Sequence, residues 1–360
     1  MEFENDYFEN LSKKKPLAIR NANYMSMLSK ELKGSDRRLS DTLFMRAERI
    51  KSCLTFWKWG LYNNKKVLEL LDVSRCKDMW CPNCRLTNTF KAVNKLSGYT
   101  GIMFNSGYTP YLLTLTNPNV LRKDLSSEID KINKAFSKFW KWLYKPYEIN
   151  GIRYGGYKER LFDAMAAIKV IEVTLQKSDW NYFHVHIHAI VFLTYDTPFD
   201  FEKNIPGGYQ HKSESEIYFS AADILIQMLW KLAYNGKEIT EIKTMYDDNE
   251  QNYSCDIRPL ILPSGIPEVF KYCFKDFDVK SYEIFKDLFF GLYKKKLRQS
   301  YGEYYNTNIK NDFDKYNFAD IRLHSELKEE EPEIVYLNNM KDITSKYGDY
   351  KKISIFKKIG

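Results

Sequence analysis

"WNYFHVHIHAIVFL" (residues 180–193) holds three of the five histidines in a chain of 360 residues. His184, His186 and His188 alternate with Val185 and Ile187, and an apolar run follows. Alternation of period two is the pattern of a strand, so the three imidazoles share one face while Val185, Ile187 and Ala189 face a core. Upstream, "KVIEVTL" (169–175) is β-branched and sets a single carboxylate, Glu172, among apolar residues. A hairpin turning around Asp179 places Glu172 opposite His186, where a carboxylate and two imidazoles converge on one point. That set suits a divalent ion better than three half-exposed histidines beside a stray glutamate.

Working outward, "TPYLLTLTNPN" (109–119) reads as a strand broken by Asn-Pro-Asn, with Thr114, Thr116 and Asn117 at its polar end as candidates to position a phosphate or a metal's outer shell. "SSEIDKINKAFSKFWKWLYKPY" spaces Ile129, Ile132, Phe136, Phe139, Trp140 and Leu143 as a helix and opens with a Ser-Ser-Glu capping signal. "SAADILIQMLWKLAYNGKE" (220–238) is a helix stopped by Asn-Gly, and "SCDIRPL" is a strand. "GIPEVFKYCFKDF" and "YEIFKDLFFGLYKKKLRQSYGEY" read as two further helices, and "DRRLSDTLFMRAERIKSC" as one near the start. The fold class expected is α+β, an antiparallel sheet flanked by helices with a zinc-bearing N-terminal part.

Four of six cysteines, Cys53, Cys76, Cys81 and Cys84, fall within 32 residues as C-x22-C-x4-C-x2-C, the end reading "RCKDMWCPNCR". A CPxC turn offers two sulfurs to one ion, so structural zinc is expected, with no open position for catalysis. Cys255 and Cys273 read as core residues. The charge balance is basic, 55 Lys and Arg against 47 Asp and Glu, with 27 tyrosines and 23 phenylalanines. Such a balance suits a groove that follows phosphates and stacks bases as well as an evenly solvated surface. The acidic start "MEFENDYFEN" lacks the apolar centre of a signal peptide, and apolar runs such as "HAIVFL" are far short of the ~18–20 residues that span a bilayer. A cytoplasmic protein with no membrane partner is expected.

In "PEVFKYCFKDFD" Glu268 and Tyr272 stand four apart on one helical face, with Lys271 and Lys275 nearby. A phenol needs a base or positive charge to act as a nucleophile at neutral pH, and this helix offers both. A "TLT" strand, a His-apolar-His strand and a Glu-x3-Tyr helix, in this order, resemble the HUH endonucleases, most closely the plasmid rolling-circle replication initiators with a single catalytic tyrosine. "LLTLTNPN", "IEVTLQKSDWNYFHVHIHAIVF" and "EVFKYCFKDFD" resemble the three motifs, and "RCKDMWCPNCR" and "LWKLAYNGKEIT" resemble the stretches before the first and third. The likeness covers roughly residues 49–302. Val185 departs from it, standing where the family often has proline, and whether His184 joins the metal ligands is left open.

The resemblance implies an HUH-type sheet, with 49–104 the four-cysteine zinc region and 105–302 the endonuclease; outside it stand 1–48, helical and a candidate DNA contact, and 303–360, polar and without an assigned role. It implies that His186, His188 and Glu172 hold Mg²⁺ or Mn²⁺ against a scissile phosphate. Tyr272 attacks, leaving a 5′-phosphotyrosine and a free 3′-OH; Glu268 activates water or the incoming group, and Lys275 stabilises charge near the phenolate. The implied partners are single-stranded or hairpin plasmid origin DNA, a host helicase and a single-strand-binding protein, with a homodimer left open. Two rivals remain: an HUH transposase or relaxase-like nickase, although no helicase Walker motif occurs, and a non-catalytic zinc-dependent DNA-binding protein.

Overall fold

The computed structural model describes residues 2–144, 147–149, 152–154, 164–194, 201–209, 216–241, 255–260, 279–303, 331–338 and 345–354. Its elements run α1 (Glu2–Leu32), α2 (Arg37–Lys51), β1 (Trp57–Tyr62), β2 (Val67–Val73), α3 (Pro82–Asn105), β3 (Tyr108–Thr116), β4 (Val120–Leu121), α4 (Leu125–Tyr144), β5 (Tyr147–Ile149) and β6 (Ile152–Tyr154). There follow β7 (Ala164–Leu175), β8 (Tyr182–Thr194), β9 (Ile205–Tyr209), β10 (Glu216–Phe219), α5 (Ala221–Tyr234), β11 (Cys255–Pro259), α6 (Tyr282–Leu292), β12 (Arg298–Gly302), β13 (Glu333–Leu337) and β14 (Lys351–Ser354). The chain forms two compact units, Met1–Lys95 with Asp312–Gly360, and Leu96–Asn311.

In the first unit α1 and α2 make an antiparallel helical hairpin. Asp36 caps α2 by accepting from the Leu39 N–H at 3.0 Å. Leu43, Ala47 and Ile50 of α2 and Ala18, Ala22, Met25 and Leu28 of α1, all at helical spacing, are buried. Ser29 and Ser40 lock the pair reciprocally, each hydroxyl donating to the other residue's carbonyl at 2.8 and 2.7 Å. A four-stranded sheet, ordered β13-β1-β2-β14, completes the unit; β14 pairs with β2 in parallel and the other pairs are antiparallel.

In the second unit the main sheet is antiparallel throughout, ordered β11-β3-β8-β7-β12, with β4 also on β8. Glu172 stands opposite His186, the register expected of a hairpin that turns around Asp179. One face of this sheet, carrying Ile171, Val173, Val185, Ile187 and Leu113, is buried beneath helices. The six apolar residues read as the helical stripe of α4 are all buried; each such side chain contributes about 1.5–3 kcal/mol of transfer free energy. Phe139 of α4 meets Trp230 of α5 edge-on at 5.9 Å, and the Tyr234 hydroxyl donates to Glu128 at 2.8 Å. Asp223 closes a capping box with Ser220 and accepts from the Ile257 N–H at 2.8 Å, so one buried carboxylate ties α5 to β11.

Three local expectations change. The Ser-Ser-Glu signal caps nothing: α4 starts at Leu125 out of a 3-10 turn, and the Ser127 hydroxyl donates to the Asp124 carbonyl. The helix read through residues 282–304 ends at Leu292, because Tyr293 is extended and Lys294 has φ 57°; residues 298–302 instead form β12 against β7. Polar residues 331–338 and 345–354 contribute β13 and β14. No helix of the described residues is long and apolar enough to cross a membrane.

Candidate metal centres

Cys53 follows α2, Cys76 follows β2, and Cys81 and Cys84 open α3, so three separate segments deliver the sulfurs. All four lie within 4.8 Å of one another. Cys84 Sγ is 3.6 Å from Cys53 Sγ and 3.5 Å from Cys76 Sγ. A tetrahedral ion with sulfur at about 2.3 Å sets its ligands ~3.8 Å apart, so the set fits zinc. The thiols of Cys53, Cys76 and Cys81 and the Lys77 N–H, at 3.2 Å, hold Cys84 well below the ordinary thiol range. Two contacts fix the loop from behind: Arg46 of α2 grips Asp78 with two hydrogen bonds, 2.7 and 3.0 Å, and Asn21 of α1 donates to the Trp80 carbonyl at 3.0 Å. Burial pushes the Cys255 thiol up, in keeping with a core residue. Cys273 lies outside the described residues.

Although among the described residues only the four cysteines bring three or more ligand atoms within 4.8 Å of one another, a second candidate lies on the open face of the main sheet. Register carries it across three strands. Thr114 pairs with His188 and Thr116 with His186 from β3; Glu172 pairs with His186 and Thr174 with His184 from β7. The Glu172 carboxylate, though opposite His186, reaches diagonally to His188 Nε2 at 3.1 Å, and both side chains are buried. Thr114 and Thr116 sit 3.4 Å from the Nδ1 atoms of His188 and His186. Each hydroxyl can hold its ring by Nδ1, with the Nε2 of His188 turned to the Glu172 carboxylate. His184 Nδ1 donates to Asn119 Oδ1 at 2.6 Å, and its ring meets His186 edge-on at 3.9 Å between centroids. Burial lowers the His184 pKa, with Glu172 opposing.

Asn117 does not join this group. Its amide is 2% exposed, donating to the Val185 carbonyl at 3.2 Å and accepting from the Trp230 indole at 3.1 Å, so it ties β3 to β8 and α5. Glu268, Lys271, Tyr272 and Lys275 lie outside the described residues. Two polar groups escape a reading of the sequence. Asn119 orients His184, and its signal was the NPN turn itself. Asp256, across β3 from Thr114, is ion-paired to Lys203, which also lies 3.6 Å from Asp223. Nothing in local periodicity marks Lys203, which comes from an irregular segment.

The family model described as "Replication protein" matches residues 67–351, well over half of the chain. Protein rep of Lentilactobacillus hilgardii is 23% identical over 152 residues, 42% of this chain and 43% of the relative. The chain therefore matches less than half the length of that relative. No solved structure matches.

Proposed function

The chain belongs to the replication protein family, and from that premise we propose that it initiates plasmid rolling-circle replication by nicking and rejoining single-stranded origin DNA. The observation that carries the reading is the His188–Glu172 contact, with His186 beside it and Thr114 and Thr116 behind the rings, on one face of an antiparallel sheet. Two imidazoles and a carboxylate on one face are donors of the kind that Mg²⁺ or Mn²⁺ takes in the HUH arrangement, and such an ion would neutralise charge on a phosphoryl oxygen.

The remaining steps belong to the protein. The Tyr272 phenolate attacks phosphorus and the P–O3′ bond breaks, giving a 5′-phosphotyrosine. The departing 3′ oxygen takes a proton and becomes the 3′-OH that primes synthesis. Glu268 removes the proton of the water or 3′-OH that later attacks the phosphotyrosine, Lys275 offsets charge near the phenolate, and Lys271 helps to position the phosphate. Because the covalent bond retains the free energy of the phosphodiester, rejoining needs no ATP. A rigid sheet that holds the histidines and the carboxylate suits chemistry that asks for positioning and charge neutralisation. His184, held by Asn119, stands beside the histidine pair, and Glu172 is the third ligand. In this reading residues 105–302 carry the endonuclease and 49–104 the zinc region, while a host helicase and a single-strand-binding protein handle the displaced strand.

The test is a covalent adduct. Incubated with Mn²⁺ and single-stranded origin oligonucleotides, the protein yields a protein–DNA species that peptide mapping places on Tyr272. Tyr272→Phe loses both nick and adduct and keeps DNA binding. A Tyr272→Phe protein that still nicks puts the nucleophile elsewhere, and a wild type that binds but never cleaves leaves a zinc-dependent DNA-binding protein.

A further inference from the structure

The hairpin of α1 and α2 presents a surface that the nicking chemistry does not use. The buried stripe of α2 is Ser40, Leu43, Ala47 and Ile50. Directly opposite lie Arg38, Thr42, Met45 and Arg49, at i, i+4, i+7 and i+11, and all four are exposed. Arg38 and Arg49 have no ion pair or side-chain hydrogen bond among the described residues, and neither does Arg37 beside them. Between the two arginines Met45 is 59% exposed, with Phe44 at 53% on its flank. A helix face kept merely solvated places opposite charges four apart; the pairs along this stripe, Arg38 with Thr42 and Met45 with Arg49, contain no carboxylate. Asp41 and Glu48 lie to one side, and Glu48 is already paired with Lys51 at 2.7 Å. Lys30 and Lys33, both exposed, extend the positive surface around the hairpin turn.

The helix is also held firmly from behind. Its buried side is bound to α1 through the Ser29–Ser40 exchange and to the cysteine loop through the two-bonded Arg46–Asp78 pair. A stiff helix with unpartnered arginines at both ends of a stripe and an apolar side chain between matches the chemistry of base edges in a major groove. Arginine forks onto guanine O6 and N7, threonine serves either base, and an apolar tip meets a thymine methyl. The stripe from residue 38 to 49 is ~16 Å long at 1.5 Å per residue, about five base-pair steps.

We propose that α2 is the duplex-reading helix of this protein, entering a major groove with Arg38, Thr42, Met45 and Arg49 against base edges while Lys30, Lys33 and Arg37 lie along the phosphates. The cysteine centre then serves as the buttress that fixes the helix's angle. The inference rests on the reading that DNA is the partner and is independent of the tyrosine chemistry.

The test uses the full-length, zinc-loaded protein and a random-sequence library of 30-bp duplexes carried through rounds of binding and recovery. Wild type enriches a short motif. Arg38→Ala and Arg49→Ala each relax one position of it and weaken binding to the enriched duplex by at least about tenfold, and Met45→Ala relaxes a position between them. These side chains are exposed and without partners, so circular dichroism and zinc content stay those of wild type. Absence of any enriched motif, unchanged duplex affinity in the Arg38→Ala/Arg49→Ala protein (the result expected if the face docks a protein), or a uniform loss that leaves the motif intact each overturns the proposal. Nicking of single-stranded oligonucleotides with Mn²⁺ is scored on the same preparations. If wild type nicks nothing, the endonuclease reading fails and the assignment of α2 is decided by the duplex selection alone; if the double variant nicks like wild type while losing duplex selectivity, both hold.

Discussion

Lys169 sits in the middle of β7, on the face beneath α4, with none of its surface exposed. Its ammonium donates to Asn133 Oδ1 at 2.6 Å and Gln299 Oε1 at 2.8 Å, and the rings of Phe136 and Tyr301 lie 5.0 and 5.7 Å away. All four partners are neutral, and burial lowers the pKa from 10.5 to about 7. Below pH 7 folded and unfolded chains both hold the proton, and the cost of the buried charge is felt in full. Between pH 7 and 10.5 only the unfolded chain holds it, so stability rises with pH through this window. With 1.36 kcal/mol per pH unit in the fully developed window, Lys169 raises the unfolding free energy by about 2.5 kcal/mol from pH 6 to pH 9. Lys169→Met keeps the length of the side chain and removes the titration; Asn133 and Gln299, both half-exposed, can turn to water. The variant is therefore at its most stable relative to wild type at pH 6 and gives up about 2.5 kcal/mol of that difference by pH 9. Urea unfolding of both proteins at pH 6, 7, 8 and 9 measures this, and the difference between them cancels every other titrating group. A difference that stays constant across the range, or grows with pH, refutes the account.

Two further outcomes follow from the geometry. Gly302 ends β12 at φ +62°, and a Cβ there would stand 2.0 Å from the Met165 carbonyl oxygen; Gly302→Ala is expected to cost at least about 1–3 kcal/mol from the backbone conformation alone, read as a lowered Tm, while Ser300→Ala two residues earlier leaves it unchanged. The cysteine set is expected to hold one zinc per chain, which elemental analysis checks, and Cys81→Ser or chelation is expected to remove folding free energy on the order of several kcal/mol, seen as faster proteolysis within residues 1–95; unchanged proteolysis without the metal would show that the loop stands unaided.

The β7–β8 pair was legible because strand periodicity fixes the core face, with Val185, Ile187 and Ala189 turned inward, and a turn centred on Asp179 then sets Glu172 opposite His186. The α4 stripe was legible for the same reason at period 3.6. What escaped depends on contacts distant in sequence. The stretch 282–304 has no proline and reads as continuous helix, yet Tyr301 gains more by packing 5.1 Å from Phe136 and 5.8 Å from Trp140 as part of a strand. Helix α1 carries Pro16 within it and takes its order from Ser40 and Trp80, so its own pattern is weak. Strands β13 and β14 are only five and four residues long, and they exist through pairing with β1 and β2, some 260 or more residues earlier. The diagonal reach of Glu172 to His188, the second use of Asn117 and the grip of Asn119 on His184 are side-chain choices that no spacing encodes.

Register also joins the two sides of the main sheet energetically. Lys169 and Glu172 are three apart on one strand and therefore point to opposite faces, the ammonium under α4 and the carboxylate toward the histidines. A slip of one residue in β7 would bring Glu172 beneath the aromatic side chains of α4 and leave Lys169 among the imidazoles. The first change buries a carboxylate away from the His188 ring, and the second sets a cation beside rings that would themselves carry positive charge on protonation, so each is opposed on its own. Apolar burial fixes which face of β8 is the core, and these two ionisable groups fix β7 against it. The convergence of Glu172 on His188 is thus a consequence of how the sheet folds as well as of what the site does, which is why the pair can be held at 3.1 Å by strands alone.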